Sequence, residues 1–455
     1  MIKRVTCLFA LLCILACPLS VYAKDKAVKV NSLSDNVTLN EGFIGKNDLI
    51  IDGEVLTEYV ESEQSTPENI PNIGCKGVYL IHPETGKVLF QKNPYEKMYP
   101  ASTTKIMTAL MALENCDMDD TAVVSKKALS LVPKGYSSAK LEAEEEFTIY
   151  TLLQALLIPS GNEAANALAQ HISGDIDSFA DLCNKRAAEL GCKNLHFINP
   201  NGVHSDNHYC CAYDMYLIAR ECKKYDAFNE IVKSKYFTVP TTKIHPENDR
   251  VLENTNKLLF SDSYEYYYPY CTGIKTGHTE EAGECLISSA SKDGIDLMCV
   301  VLGGSVKANG LNERFYDTKQ LYEFAYADYG YLTVSEKWSV YANIEINNAA
   351  KETSGLDLII DEDIKTLAPL SMDKDDVECE ITLLDNIKAP IKQGQPLGTI
   401  TFKVDGLNYT TNLVAKNDVK KNQMILYLIV IFFVSLLISS FINSRDKKRR
   451  KKNRK

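Results

Sequence analysis

The hydrophobic pattern along the chain changes period several times. From Gly77, "GVYLIHPETGKVLFQKN" alternates apolar and polar residues around Glu84-Thr85-Gly86, which predicts a β-hairpin. From 100 to about 230 the spacing turns helical. "PASTTKIMTAL" sets Ile106, Met107 and Leu110 at near-helical spacing behind Pro100 and Ser102, and "TIYTLLQALLI" and "EAANALAQHI" continue the pattern. Strand patterns return in "GIKTG", "CLISSAS" and "DLMCVVLGG", and "RFYDTKQLYEFAYADY" then reads as a helix. Strands that open and close a segment filled by helices predict an α+β layout, with one sheet drawing its strands from both ends. From about 336, "KWSVYANIEI", "GLDLIIDED", "VECEITLLD" and "QPLGTITFKVDG" are short alternating strands separated by Gly, Asn and Asp, the mark of a small all-β module. "LVAKNDVKKNQ" reads as the linker that follows, and no internal repeat is evident.

Two apolar runs do not fit a globular core. Residues 1–23 carry Lys3 and Arg4, then an apolar stretch, then Val21-Tyr22-Ala23, which predicts a signal peptide cut after Ala23. A lipoprotein cut before Cys17 is the weaker alternative, because Pro18 follows the cysteine directly. Residues 424–442 are uncharged, and at about 1.5 Å per residue they cover about 28 Å, close to a bilayer core. A basic tail, 443–455, follows with nine cations against Asp446, a positive-inside signal. The expected order is a signal peptide (1–23), a polar spacer (24–70), a catalytic domain (71–333), a β-rich domain (336–415), a single membrane span (424–442) and a cytosolic tail. The catalytic domain is then extracytoplasmic.

Charge and cysteine content narrow the function classes. The formal charge is −10, but once the leader and tail are set aside the exported part carries about −20, which argues against nucleic acid as a partner. Of fourteen cysteines, Cys7, Cys13 and Cys17 leave with the leader. The remaining odd number, scattered over some 300 residues, does not make a stapled mini-domain.

Ser102 and Lys105 lie three apart on one helix face, so they read either as a cap with a solvated lysine or as a nucleophile with its base. S-x-x-K also starts at Ser137, Ser289, Ser371 and Ser444, so spacing alone cannot choose. Only Ser102 is followed in order by Ser160-Gly161-Asn162 and then by Lys275-Thr276-Gly277. The three triplets fall at a helix start, a loop between helices and an outer strand, the ordered signature of penicillin-binding proteins and class A β-lactamases.

The chain resembles the low-molecular-weight penicillin-binding proteins, specifically the serine D-alanyl-D-alanine carboxypeptidases. The likeness also runs through "TGKVLFQKNPYEKMYPASTTKIMTALMALE", "FINPNGVHSDNHYCCAYDMYLIAR", "NTNKLL" and "GIKTGHTEEAGECLI". It departs at Cys210-Cys211 and Val203, where the family usually has small hydroxyl residues and Leu. The resemblance implies a β-lactamase/transpeptidase-like fold, an antiparallel sheet with helices, and removal of the terminal D-alanine from peptidoglycan stem peptides through a serine acyl-enzyme. It also implies β-lactams as covalent inhibitors and no cofactor or metal. The expected roles are Ser102 as nucleophile, Lys105 as base, and Ser160 as proton carrier. Asn162 orients Lys105 or the substrate, and Lys275, Thr276, Gly277 and His278 bind substrate. Lys105 needs a pKa well below that of a free lysine, supplied by burial and by the second cation, Lys275. Thr276, and second to it Arg314, can hold the terminal carboxylate, and the resemblance puts the oxyanion hole at the backbone N–H groups of Ser102 and His278. His204, His208, Cys210 and Cys211 crowd one loop, but the family pattern explains it without metal. Glu144 to Glu146 reads as a solvated face.

Three rival functions remain, of which a structural pseudo-enzyme conflicts with the intact triplets. A β-lactamase needs a deacylating Glu in an E-x-x-L-N loop, and "CNKRAAELGCKNLHFINP" has none, while Glu163 lies inside the S-x-N helix. A membrane β-lactam sensor would need more cytosolic protein than thirteen residues.

Overall fold

The alternation from Gly77 forms the strands Gly77–His82 and Lys87–Lys92, paired antiparallel. Three more strands, Cys271–Thr279, Gly283–Lys292 and Ile295–Gly304, complete a five-stranded antiparallel sheet. Its order is 87–92, 77–82, 295–304, 283–292 and 271–279, so the Lys275-Thr276-Gly277 strand is an edge. This computed structural model describes residues 29–30, 38–39 and 70–452. The expected signal peptide and most of the expected spacer lie outside them.

Alternate residues of a strand face opposite ways, and here both faces are covered. Tyr79, Ile81, Ile287, Met298 and Val300 enter one core with the helices Lys105–Asn115, Ile149–Leu157, Asn162–Ser173 and Ala212–Cys222. Val78, Leu80, Leu286, Leu297 and Cys299 enter a second core with the helix Glu313–Asp328. This double burial is why the strand is apolar at every position from Leu297 to Leu302 instead of alternating.

The described chain separates into two compact units, Glu63–Leu332 with Leu367–Met372, and the remainder. The second holds a seven-stranded antiparallel sheet with a core that includes Tyr341, Leu358, Ile400 and Phe402. Its two outer strands, Lys29–Val30 and Thr38–Leu39, come from the stretch read as a spacer.

Three local readings change. The linker "LVAKNDVKKNQ" begins inside the strand Leu407–Ala415, and Val419 is buried and bridges to Ile391, so only its end is free of the sheet. The apolar helix does not stop at the basic tail but runs from Met424 to Lys452, because lysine and arginine are good helix formers. Leu426–Arg445 is long and apolar enough to cross a membrane. Finally, the acidic run is not all solvated. Glu144 and Glu146 are exposed, but Glu145 is fully buried in a two-bond pair with Arg250, at 2.7 and 2.8 Å. Its partner lies 105 residues away, beyond the reach of any local pattern.

Candidate active site

Ser102 is half-buried in a short 3-10 turn, Ala101–Thr104, which runs straight into the helix Lys105–Asn115. Neither helix start has a side-chain cap, so Ser102 does not serve as one. Lys105 is wholly buried. Its Nζ lies 2.8 Å from Ser102 Oγ, 3.0 Å from Asn162 Oδ1 and 2.8 Å from the Asn201 carbonyl oxygen. The Asn162 amide is oriented by its own Nδ2, which donates to the Ser137 carbonyl at 2.7 Å, so Oδ1 is the atom turned to Lys105. Two of the three partners are therefore carbonyl oxygens that can only accept. A neutral amine has two hydrogens and one lone pair. The hydrogens go to Asn162 and Asn201, and the lone pair is left for the Ser102 hydroxyl. Burial brings the Lys105 ammonium down to about 7, with the Glu163 charge pulling the other way.

The second cation lies close enough to Lys105 for the two to repel. Lys275 is fully buried, and its Nζ donates to the Thr276 carbonyl at 2.9 Å. Burial first, then repulsion from Lys105 and Arg314, holds it well below its ordinary range. Burial is the first cause for both lysines, and the repulsion between the two cations is shared by the pair.

Ser160 is buried at a left-handed backbone position, φ 68°, and its hydroxyl has no hydrogen-bond partner among the described residues. Thr276 Oγ1 meets Thr255 Oγ1 at 2.5 Å. Gly277 brings the edge strand onto the Ser102 turn. A Cβ there would sit 2.9 Å from the Pro100 carbonyl oxygen and 3.0 Å from the Ser102 nitrogen, so only glycine permits the approach. The His278 imidazole is exposed and lies against Glu284 at 2.9 Å. Glu284 also holds Arg314 at 2.8 Å, and Arg314 donates to the Gly277 carbonyl at 2.9 Å. Arg314 therefore braces the strand from behind.

Hydrogen bonds join Ser102, Lys105 and Asn162, Gly277 lies against the Ser102 nitrogen and Lys275 repels Lys105, whereas the Ser160 hydroxyl makes no hydrogen bond to them, Thr276 Oγ1 pairs with Thr255, and the residues of the His/Cys loop have separate structural contacts. Buried His208 accepts from the Ile198 N–H at 3.1 Å, so its other nitrogen carries the proton toward Thr104 Oγ1, 2.8 Å away. Burial keeps it neutral, down to about 3. Cys210 pairs through its backbone with Met98, and Cys211 caps the helix Ala212–Cys222. His204 packs edge-on against Tyr99.

Sequence reasoning missed Asn201, whose contribution is a main-chain oxygen with no side-chain signal. Its amide is held by Asn166 at 3.0 Å, and Asn166 in turn by the Ala128 carbonyl. The signal that could have found it is "NPNG", since Gly202 sits at φ 83° against the Ala101 carbonyl.

Comparison with known proteins identifies the family. A family described as D-alanyl-D-alanine carboxypeptidase matches residues 63–306, and one described as the penicillin-binding protein 5 C-terminal domain matches 332–421. The chain is 36% identical to the D-alanyl-D-alanine carboxypeptidase DacF of Bacillus subtilis, over 78% of this chain and 88% of that one. It is 28% identical to DacA of Escherichia coli K12, over 74% and 81%. Penicillin binding protein 5 from Haemophilus influenzae superposes with a TM-score of 0.60 at 27% identity, covering 78% of this chain and 99% of that one. The Streptomyces K15 DD-transpeptidase superposes with 0.52 at 30% identity, covering 57% and 99%.

Proposed function

The chain belongs to the D-alanyl-D-alanine carboxypeptidase family, the low-molecular-weight penicillin-binding proteins, and from that premise we propose how its residues perform the reaction. It is a serine-type hydrolase that removes the terminal D-alanine from a D-alanyl-D-alanine end. Ser102 Oγ attacks the carbonyl of the penultimate D-alanine while its proton passes to neutral Lys105. The developing oxyanion is held by the backbone N–H groups of Ser102 and His278. The Ser102 N–H, second in its turn, belongs to the set that a helical start leaves without an internal acceptor. Ser160 relays the proton to the leaving nitrogen, a role that suits a buried hydroxyl with no other partner. The C–N bond breaks, free D-alanine departs, and water then hydrolyses the Ser102 ester. Thr276 holds the terminal carboxylate in the positive field of buried Lys275, and Gly277 allows the strand to close on the turn.

The substrate is the stem peptide of peptidoglycan, and β-lactams acylate Ser102 in its place. Trimming the stem removes a donor for cross-linking and so bears on wall growth and cell shape. The helix from Met424 anchors the enzyme, with the catalytic unit outside the cell and the basic end of the helix in the cytosol.

The observation that carries this reading is the three-way coordination of Lys105 Nζ, which leaves its lone pair to Ser102. The test is labelling with penicillin followed by intact mass and peptide mapping. A single adduct on Ser102 is expected. An adduct on Ser137 or Ser160, or none on folded protein, would overturn the assignment.

A further inference from the structure

Glu163 follows Asn162 in the S-x-N helix, is 1% exposed, and has no part in the mechanism above. Its Oε1 accepts from Ser138 Oγ at 2.6 Å and from the Leu141 N–H at 3.3 Å. Its Oε2 has no hydrogen-bond partner among the described residues. A buried carboxylate oxygen left bare is costly unless its charge is used elsewhere.

The segment that Glu163 grips leads back to the base. Ser137, next to Ser138, offers its carbonyl to both the backbone N–H and the side-chain Nδ2 of Asn162, at 3.2 and 2.7 Å. That contact turns Asn162 Oδ1 onto Lys105 Nζ. The loop has little freedom beside the helix. A Cβ at Gly161 would lie 2.8 Å from Ala139 Cβ, and Lys140 is held at φ 56° with its carbonyl on Arg250. One path therefore runs from Glu163 to loop 137–141, to the Asn162 amide, to the Lys105 amine. A second path is electrostatic. The charges that face Lys105 are Glu163 from the S-x-N helix and Lys275 from the edge strand, with Arg314 acting on Lys275.

We propose that Glu163 is a positioning residue for acylation: one oxygen pins the 137–141 loop that aligns Asn162 on Lys105, and its charge balances the buried amine. The inference rests on Lys105 being the base. Without Glu163 the ammonium form of Lys105 loses its nearby anion, so the neutral form is reached at lower pH. With the charge gone and the loop contact kept, the acid limb of the pH–rate profile moves down. With the contact gone and the charge kept, the rate falls and the limb stays.

The experiment measures D-alanine release from diacetyl-Lys-D-Ala-D-Ala between pH 5 and 9 with the full-length protein and the variants E163Q, S138A and K105A. For E163Q the acid limb should move down by about half a pH unit or more. For S138A, kcat should fall several-fold with the limb at its wild-type position. A limb in E163Q that stays put or moves up overturns the proposal. Should E163Q fail to fold, E163D is read instead, since it keeps the charge and withdraws the contact. A wild-type rate and limb in E163D then overturns the proposal. K105A separates the two levels. Turnover surviving in K105A removes the base assignment and this inference with it, whereas an inactive K105A beside an unmoved E163Q limb removes this inference alone.

Discussion

Replacing Gly202 with alanine adds one methyl group about a hundred positions along the chain from Ser102, yet the fold puts it against the Ser102 turn. A Cβ at 202 would lie 1.8 Å from the Ala101 carbonyl oxygen and 3.0 Å from the Ser102 nitrogen. Real Cβ contacts do not fall below 3.0 Å, so the two backbones must part by about 1.2 Å. The Ala101 carbonyl cannot retreat freely, because it accepts from Thr104 Oγ1 at 2.8 Å and its own residue is at φ 46°. The displacement therefore passes to Ser102, and misplacement of a nucleophile by about 1 Å costs about 100-fold in rate. The left-handed φ of 83° adds about 1–2 kcal/mol of strain in the folded state. Gly86 is the control, with φ 70° and nothing within 4 Å of its would-be Cβ. We expect Gly86→Ala to lose about 1 kcal/mol of stability with acylation unchanged, and Gly202→Ala to lose more stability together with about two orders of magnitude in acylation. The assay is the acylation rate with a fluorescent penicillin beside thermal unfolding. Folded Gly202→Ala acylating at the wild-type rate, or Gly86→Ala equally impaired, would refute the steric argument.

Three further outcomes are expected. With Lys105 as the proposed base, burial bringing it down to about 7, kcat/KM for peptide should rise with pH through about 7 and fall about tenfold per unit below it; a profile flat from pH 5 to 8 would exclude Lys105 as base. Arg250→Met leaves Glu145 buried without its cation and should cost about 3–5 kcal/mol in urea unfolding, with Glu145→Gln in the same chain recovering part of it; a loss under 1 kcal/mol would contradict the buried-pair description. The full-length protein should resist a carbonate wash, and deletion of residues 424–455 should release an enzyme with unchanged turnover of small peptides; release by carbonate would show that the helix lies on the membrane and does not cross it.

Much of the site was legible because its signals are local. S-x-x-K places two side chains on one helical face by helix geometry alone, and the hairpin at Glu84-Thr85-Gly86 and the helix Glu313–Asp328 follow from period and turn chemistry over a few residues. The order of the triplets added a resemblance to a known family. What remained hidden depends on groups brought together from distant parts of the chain. The Asn201 carbonyl is a backbone atom that every residue possesses, so no residue type announces it. Glu145 looks like its solvated neighbours until Arg250 arrives from another hairpin. The need for a depressed Lys105 could be read from its proposed role, but the complete burial that is the first cause of the depression exists only in the fold. Sequence by itself determined which groups are present and which of them share a face over a turn or two. Tertiary structure alone decided which are dry and where their lone pairs point, because desolvation and hydrogen-bond direction depend on neighbours that chain closure brings from far away.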